Sequence, residues 1–276
     1  MALVQKTIYA SMVRDKFNGK VKMLQLARDL GHLDGLGSGD TISFPKWSLI
    51  GDAEEMTKGN ALSPEELQST EQTVQIKQVG KAVTVYDSVN KTSLGNQLDE
   101  GATQTALVLA RKLDADLIEV AKNAPFQATC AGATALTSAE IESAMLNFGD
   151  ERDVDEFAGI VINSLLIPSF YAMPEFTDAT DTTTVSGNGI MKNGILGKYR
   201  GIPVIVTDKG TYDNTNAECI TYIVKKGALG YKMAKELDIE TQRDALKKCT
   251  HIATDMMYAC ALVKDDGVVV IRSTNV

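Results

Sequence analysis

The sequence predicts an α+β fold, and three observations carry that expectation. A long amphipathic helix occupies residues 97–123. Two strand-like runs flanking a polar insert, around residues 41–44 and 73–79, read as an extended two-stranded arm. The C-terminal part reads as antiparallel strands meeting at Asp266-Gly267, a strong hairpin turn. Composition agrees with a folded chain: of 276 residues, 44% are hydrophobic and 23% charged, enough apolar material for one large domain or two smaller ones.

Ala10 to Leu30 reads as a helix with an imperfect stripe of Val13, Phe17, Val21 and Leu24, weakened by Gly19. A glycine-rich break at 35–39 follows. Thr41 to Phe44 alternate as a strand, and Pro45 marks it as an edge. In the polar insert 51–70, Ser63-Pro64-Glu65-Glu66 supplies an N-cap, a first-turn proline and a third-position Glu, so a short helix is expected there. The return run places Val74 and Ile76 on one face, Gly80 breaks it, and Ala82 to Tyr86 form a more apolar strand.

In the long helix, Asn96 can act as cap, with Asp99 and Glu100 in the first turn and Lys122 in the last, as the helix dipole favours. Leu98, Ala102, Ala106, Leu109, Leu113, Leu117 and Val120 form its apolar stripe, and Pro125 ends it. Its length is about 40 Å, that of an organising spine. Thr137 and Glu140 form a capping box for a second helix through Ile141, Ala144, Met145 and Phe148. Ala158 to Ile167 reads as a buried strand closed by Pro168, and 176–194 as a polar loop. Tyr199 to Thr207 and Ile220 to Val224 read as strands, with Ala228 to Met233 extending the sheet.

The function classes this excludes are informative. Net charge is −8, and basic residues cluster no more densely than in short spots such as Lys20 with Lys22, Lys225 with Lys226, and Lys247 with Lys248. A protein gripping nucleic acid through phosphates needs a longer basic stripe. The N-terminus has no signal-peptide core, and no stretch approaches the ~20 apolar residues of a membrane span. Cys130, Cys219, Cys249 and Cys260 form no C-x-x-C pair, which argues for buried reduced thiols and against the usual zinc site. His32 and His251 have no recognised catalytic spacing to a Ser, Cys or carboxylate. The acidic run Asp150, Glu151, Asp153, Asp155 and Glu156 fails the EF-hand pattern at Phe157. Neither Gly35, Gly37 and Gly39 nor Gly187 and Gly189 make a dinucleotide or phosphate loop. No catalytic, cofactor-binding or metal-binding residue is assigned, and no cofactor.

Local sequence adds a resemblance. Gly39-Asp40-Thr41-Ile42-Ser43-Phe44-Pro45 looks like the strand entering the E-loop of phage major capsid proteins. Leu62-Ser63-Pro64-Glu65-Glu66-Leu67, Glu71-Gln72-Thr73-Val74 and Gly80-Lys81-Ala82-Val83 look like its return. Leu113-Asp114-Ala115-Asp116-Leu117 looks like the spine helix. Phe148-Gly149-Asp150-Glu151 and Phe157-Ala158-Gly159-Ile160-Val161-Ile162-Asn163 look like the start of the A-domain. The order of these parts, across nearly the whole chain, resembles the HK97-like capsid fold of a tailed-bacteriophage major capsid protein. The resemblance implies an N-arm at 1–38, an E-loop at 39–79, a P-domain at 80–137 and 236–276, and an A-domain at 138–235.

What the resemblance implies is assembly, not catalysis: pentamers and hexamers tiling an icosahedral shell around a phage genome. Phe44, Trp47, Pro64, Glu65 and Glu66 are the candidate assembly-interface residues. The expected partners are copies of the chain itself, a portal, double-stranded DNA touched weakly and non-specifically, and no membrane. Because the chain starts directly at the arm, a separate scaffolding protein is expected too. No residue is assigned to cross-linking. The implied location is the virion capsid, assembled in the host cytoplasm. Two alternatives are an encapsulin-type compartment of the same fold and a soluble α/β enzyme.

Overall fold

The computed structural model describes residues 6–18, 21–32, 37–47, 50–51, 53, 55–56, 64–88, 97–149, 153–176 and 195–274. Its helices include α1 (Lys6–Asn18), α2 (Gln97–Lys122), α3 (Ser138–Met145) and α4 (Ile167–Tyr171). The strands that build the body are β1 (Ala27–His32), β2 (Thr41–Trp47), β3 (Ser69–Gln75), β4 (Lys77–Tyr86), β5 (Phe126–Thr129), β6 (Phe157–Ile162), β7 (Ile195–Tyr199) and β8 (Ile202–Val206). They continue with β9 (Tyr212–Asp213), β10 (Glu218–Cys219), β11 (Thr221–Lys225), β12 (Leu229–Asp244), β13 (Cys249–Leu262) and β14 (Val268–Arg272).

A four-stranded sheet, β1-β12-β13-β4, and a six-stranded sheet, β5-β14-β11-β6-β8-β7, carry the core. The spine α2 lies on the first. Its Ala106, Leu109, Leu113, Leu117 and Ile118 are buried with Val85, Ile239, Ile252 and Met256 of that sheet and with Tyr9, Val13 and Phe17 of α1. The six-stranded sheet separates this core from a second one. Along β14, Val268 and Val270 enter the spine core, while Val269 and Ile271 enter a core with Ile141 of α3 and Phe170 of α4. A sheet covered on both faces needs a continuous apolar run, and Val268-Val269-Val270-Ile271 is one.

Two carboxylates of the spine are buried and each is spoken for. Asp114 accepts the backbone N–H groups of Met23 at 2.9 Å and Lys22 at 3.2 Å. Burial pushes its pKa up against those bonds. Asp116 accepts from the Tyr258 hydroxyl at 2.6 Å, Lys112 at 2.9 Å and Lys77 at 3.3 Å. Burial opposes its ionisation, but these donors outweigh it and hold the carboxyl below its ordinary value. The two groups tie the spine to the N-terminal segment and to the long sheet.

The spine and the Thr137–Glu140 capping box form as the sequence predicts; Asn96 and the Leu98 side chain lie outside the described residues. Other expectations need correction. The first helix stops at Asn18 and not at Leu30. Asp114 holds Lys22 and Met23 in a turn, and β1 then pairs in parallel with β12. No helix follows Pro64: residues 64–68 are irregular, and the Glu65 carboxylate accepts the Gly51 N–H at 2.9 Å instead of backing a helical turn. Ser63 and the loop at 177–194 lie outside the described residues. Gly80 does not break β4. It sits opposite Asp255, where a Cβ would come within 3.1 Å of the Thr254 carbonyl oxygen.

Pro168 opens α4 and does not close β6, because Asn163 ends the strand by capping a short 3-10 turn. The strand expected at Tyr199 to Thr207 forms as β8, shortened at its start because Arg200-Gly201 make the turn of a hairpin with β7, which the sequence did not signal. Asp266-Gly267 is not a hairpin turn either. β13 and β14 belong to different sheets, and the chain crosses between them so closely over Ala228 that a Cβ on Gly267 would lie 2.4 Å from its Cβ.

Candidate assembly surfaces

The β2–β3 ribbon is paired from Thr41↔Gln75 to Trp47↔Ser69. Its base is seated on the body. Alternation turns Ile42 and Phe44 inward, where they are buried with Ile76 and with Ala259 and Ala261 of β13. Lys46 adds an ion pair to Asp265 at 2.6 Å. Beyond that point the ribbon leaves the body.

The candidate residues therefore divide. Phe44 anchors the arm to its own subunit and is 5% exposed. Trp47 is 62% exposed, the first residue past the anchored part. Pro64, Glu65 and Glu66 are exposed on the returning segment, with Glu65 closing onto Gly51 across the arm. Reasoning from sequence missed Ile50, Met56 and Leu67, which are also exposed large apolar side chains of this arm. Their signal was available: large apolar residues scattered through a mostly polar stretch, on a structure too thin to bury them. A two-stranded ribbon has no interior, so apolar side chains there gain burial only from another body.

A second protrusion was not legible. β12 and β13 form a long hairpin whose turn carries Leu246, almost fully exposed at 96%. Apolar side chains at two projecting ends, the arm and this turn, are what an assembling subunit would offer its neighbours.

The displaced ionisation equilibria described above serve the fold, and so does the Glu218–Arg272 pair. Glu218 accepts from Arg272 Nε at 2.9 Å, from the backbone N–H groups of Ser273 and Thr274 at 2.8 Å each, and from both their hydroxyls. Burial alone would raise its pKa, but these bonds bring it down to about 2. Of the acidic run 150–156, Glu156 pairs with Lys225 at 2.9 Å, while Asp150 and Glu151 lie outside the described residues. All four cysteines are buried and free.

No protein-family model matches the chain. It is 27% identical over 265 residues to the major capsid protein of Staphylococcus phage phiMR11, covering 95% of this chain and 90% of that one. Among solved structures, it superposes on the capsid of cyanophage P-SCSP1u with a TM-score of 0.61 at 16% identity, over 90% of this chain and 88% of the other. It also superposes on the SrpI encapsulin of Synechococcus elongatus PCC 7942, with a TM-score of 0.55 at 14% identity over 76% and 78%.

Proposed function

We propose that this chain, a homologue of phage major capsid proteins with the HK97-type capsid fold, is the subunit that self-assembles into the icosahedral shell of a bacteriophage head. The observation that carries the reading is the arm: its base is locked into the subunit by Ile42 and Phe44, while Trp47, Ile50, Met56 and Leu67 project with nothing of their own to cover them. Ordering such an arm costs conformational entropy, which contacts with a neighbouring copy would offset.

In this reading residues 39–76 act as the E-loop. The spine with β1, β4, β12 and β13 acts as the P-domain, and the six-stranded sheet with α3 and α4 as the A-domain. That division follows the sheets, so β14 joins the A-domain and all of β12 the P-domain. Copies meet as pentamers and hexamers. The role is structural and not enzymatic. Further partners are a scaffolding protein, a portal and double-stranded DNA, which a chain of net charge −8 would touch weakly. Assembly takes place in the host cytoplasm, and the shell becomes part of the virion.

Sedimentation and negative-stain microscopy of the purified chain, with and without a scaffolding partner, test the proposal. Rings or closed shells are expected. Monomer alone at every concentration and in both conditions would overturn it. Shells that form in the infected host but enclose protein cargo and no nucleic acid would favour the encapsulin reading.

A further inference from the structure

We propose that the turn end of the β12–β13 hairpin is a site for a divalent transition metal of the zinc type, ligated by Asp244, Cys249 and His251. One ligand atom from each of the three lies within 4.8 Å of the others. Their placement follows from the register. Cys249 and His251 are two apart on β13 and so share a face, and Asp244 of β12 pairs directly with Cys249. That face is the one turned away from the spine, since Ile252 and Met256, on the opposite face of β13, enter the spine core. A search for C-x-x-C spacing could not find this set, because its donors come from two strands.

The distances fit the chemistry. Cys249 Sγ and His251 Nε2 are 3.7 Å apart. Thiolate and imidazole ligands on one tetrahedral zinc stand about 3.6 Å apart, from Zn–S of ~2.3 Å and Zn–N of ~2.0–2.1 Å. The widest separation in the set need close by only about 1 Å to reach tetrahedral spacing. The Thr84 hydroxyl lies 2.9 Å from His251 Nδ1, which fixes the ring and leaves Nε2 for the metal, the usual division of labour in a histidine ligand. Asp244 Oδ1 accepts the N–H groups of Leu246 and Lys247 at 3.0 Å each, so the carboxylate is held in place by the turn itself. Asp244 Oδ2 stands 3.9 Å from Lys247 Nζ. Cys249 is buried, while Asp244 and His251 are partly exposed, which leaves a fourth position open to water.

Such a metal would bridge β12 and β13 beside the turn that presents Leu246, and so fix the posture of that protruding side chain. The test uses the full chain, stripped with chelator and titrated with Co²⁺ as a spectroscopic stand-in for zinc. One equivalent should give tetrahedral d–d bands in the visible and a thiolate-to-cobalt band in the near ultraviolet. Cys249→Ser should lose the thiolate band, and His251→Asn should weaken binding at least tenfold. Thr84→Val should weaken binding about tenfold as a positioning residue. Circular dichroism in chelator checks that each variant folds, and Asp244→Asn replaces any variant that does not. No thiolate band in the wild type, or binding unchanged in the folded variants, would overturn the proposal.

Discussion

Glu218 offers a quantitative test of how the C-terminal segment is held. The perturbation is Glu218→Gln. In the wild type the carboxylate is fully buried and takes hydrogen bonds from Arg272, Ser273 and Thr274, with its pKa lowered from 4.5 to about 2. A carboxyl whose folded value lies below its unfolded one adds stability above about pH 4.5. That stability is lost as the pH falls through its folded value. The displacement corresponds to about 3 kcal/mol at neutral pH. Glutamine removes the charge and sets an amide N–H against the Arg272 donors, so Glu218→Gln should lose about 3 kcal/mol at pH 7. That is a drop in Tm of about 6–12 °C for a chain of this size. The assay is thermal melting of both proteins from pH 7 to pH 2. The two curves should approach one another between about pH 4.5 and pH 2. Parallel curves across that range would refute the assignment of the stabilisation to the charged form of Glu218.

Other substitutions separate folding from assembly. Trp47→Ala should leave melting unchanged and impair shell formation by microscopy. Covering the 62% of Trp47 now exposed would contribute up to about 4 kcal/mol per contact. Leu113→Asp places a charge at a fully buried spine position, at a cost of several kcal/mol against a total margin of roughly 5–15 kcal/mol. Insoluble or unfolded protein is expected, and wild-type circular dichroism would refute it. Thr254→Val should be neutral or stabilising by up to about 1 kcal/mol in a denaturant titration, because the buried Thr254 hydroxyl has no partner among the described residues.

How much was legible in the sequence follows from how local each signal is. The spine and the Thr137–Glu140 cap were readable because periodicity and capping act within a turn or two of the chain. The failures lie where a distant partner decides. Residues 27–32 become a strand because β12 pairs with them, and Asp114 turns the chain just before. Residues 234–248 lie in the part expected to form antiparallel strands, and most of them do form half of the longest hairpin, although they are rich in the helix formers Ala, Lys, Glu and Leu, because β13 lies beside them. The Asp-Gly turn was a sound local signal that Ala228, packed beneath Gly267, redirected into a crossing between sheets. On the arm, Phe44 and Trp47 look alike as aromatics near a ribbon. Only the alternation against Ala259 and Ala261 separates the anchored residue from the exposed one.

The central claim, that the projecting arm serves assembly and not folding, is tested most directly by replacing residues 51–68 with a short Gly/Ser turn joining the ribbon. Loop length alone alters closure entropy slowly, and the ribbon base remains seated through Ile42, Phe44 and Ile76. Melting temperature and particle formation are then measured side by side with the wild type, under conditions in which the wild type forms shells. A soluble protein with an unchanged Tm that forms no shells is the predicted result. Normal shells, or loss of folding, would contradict it.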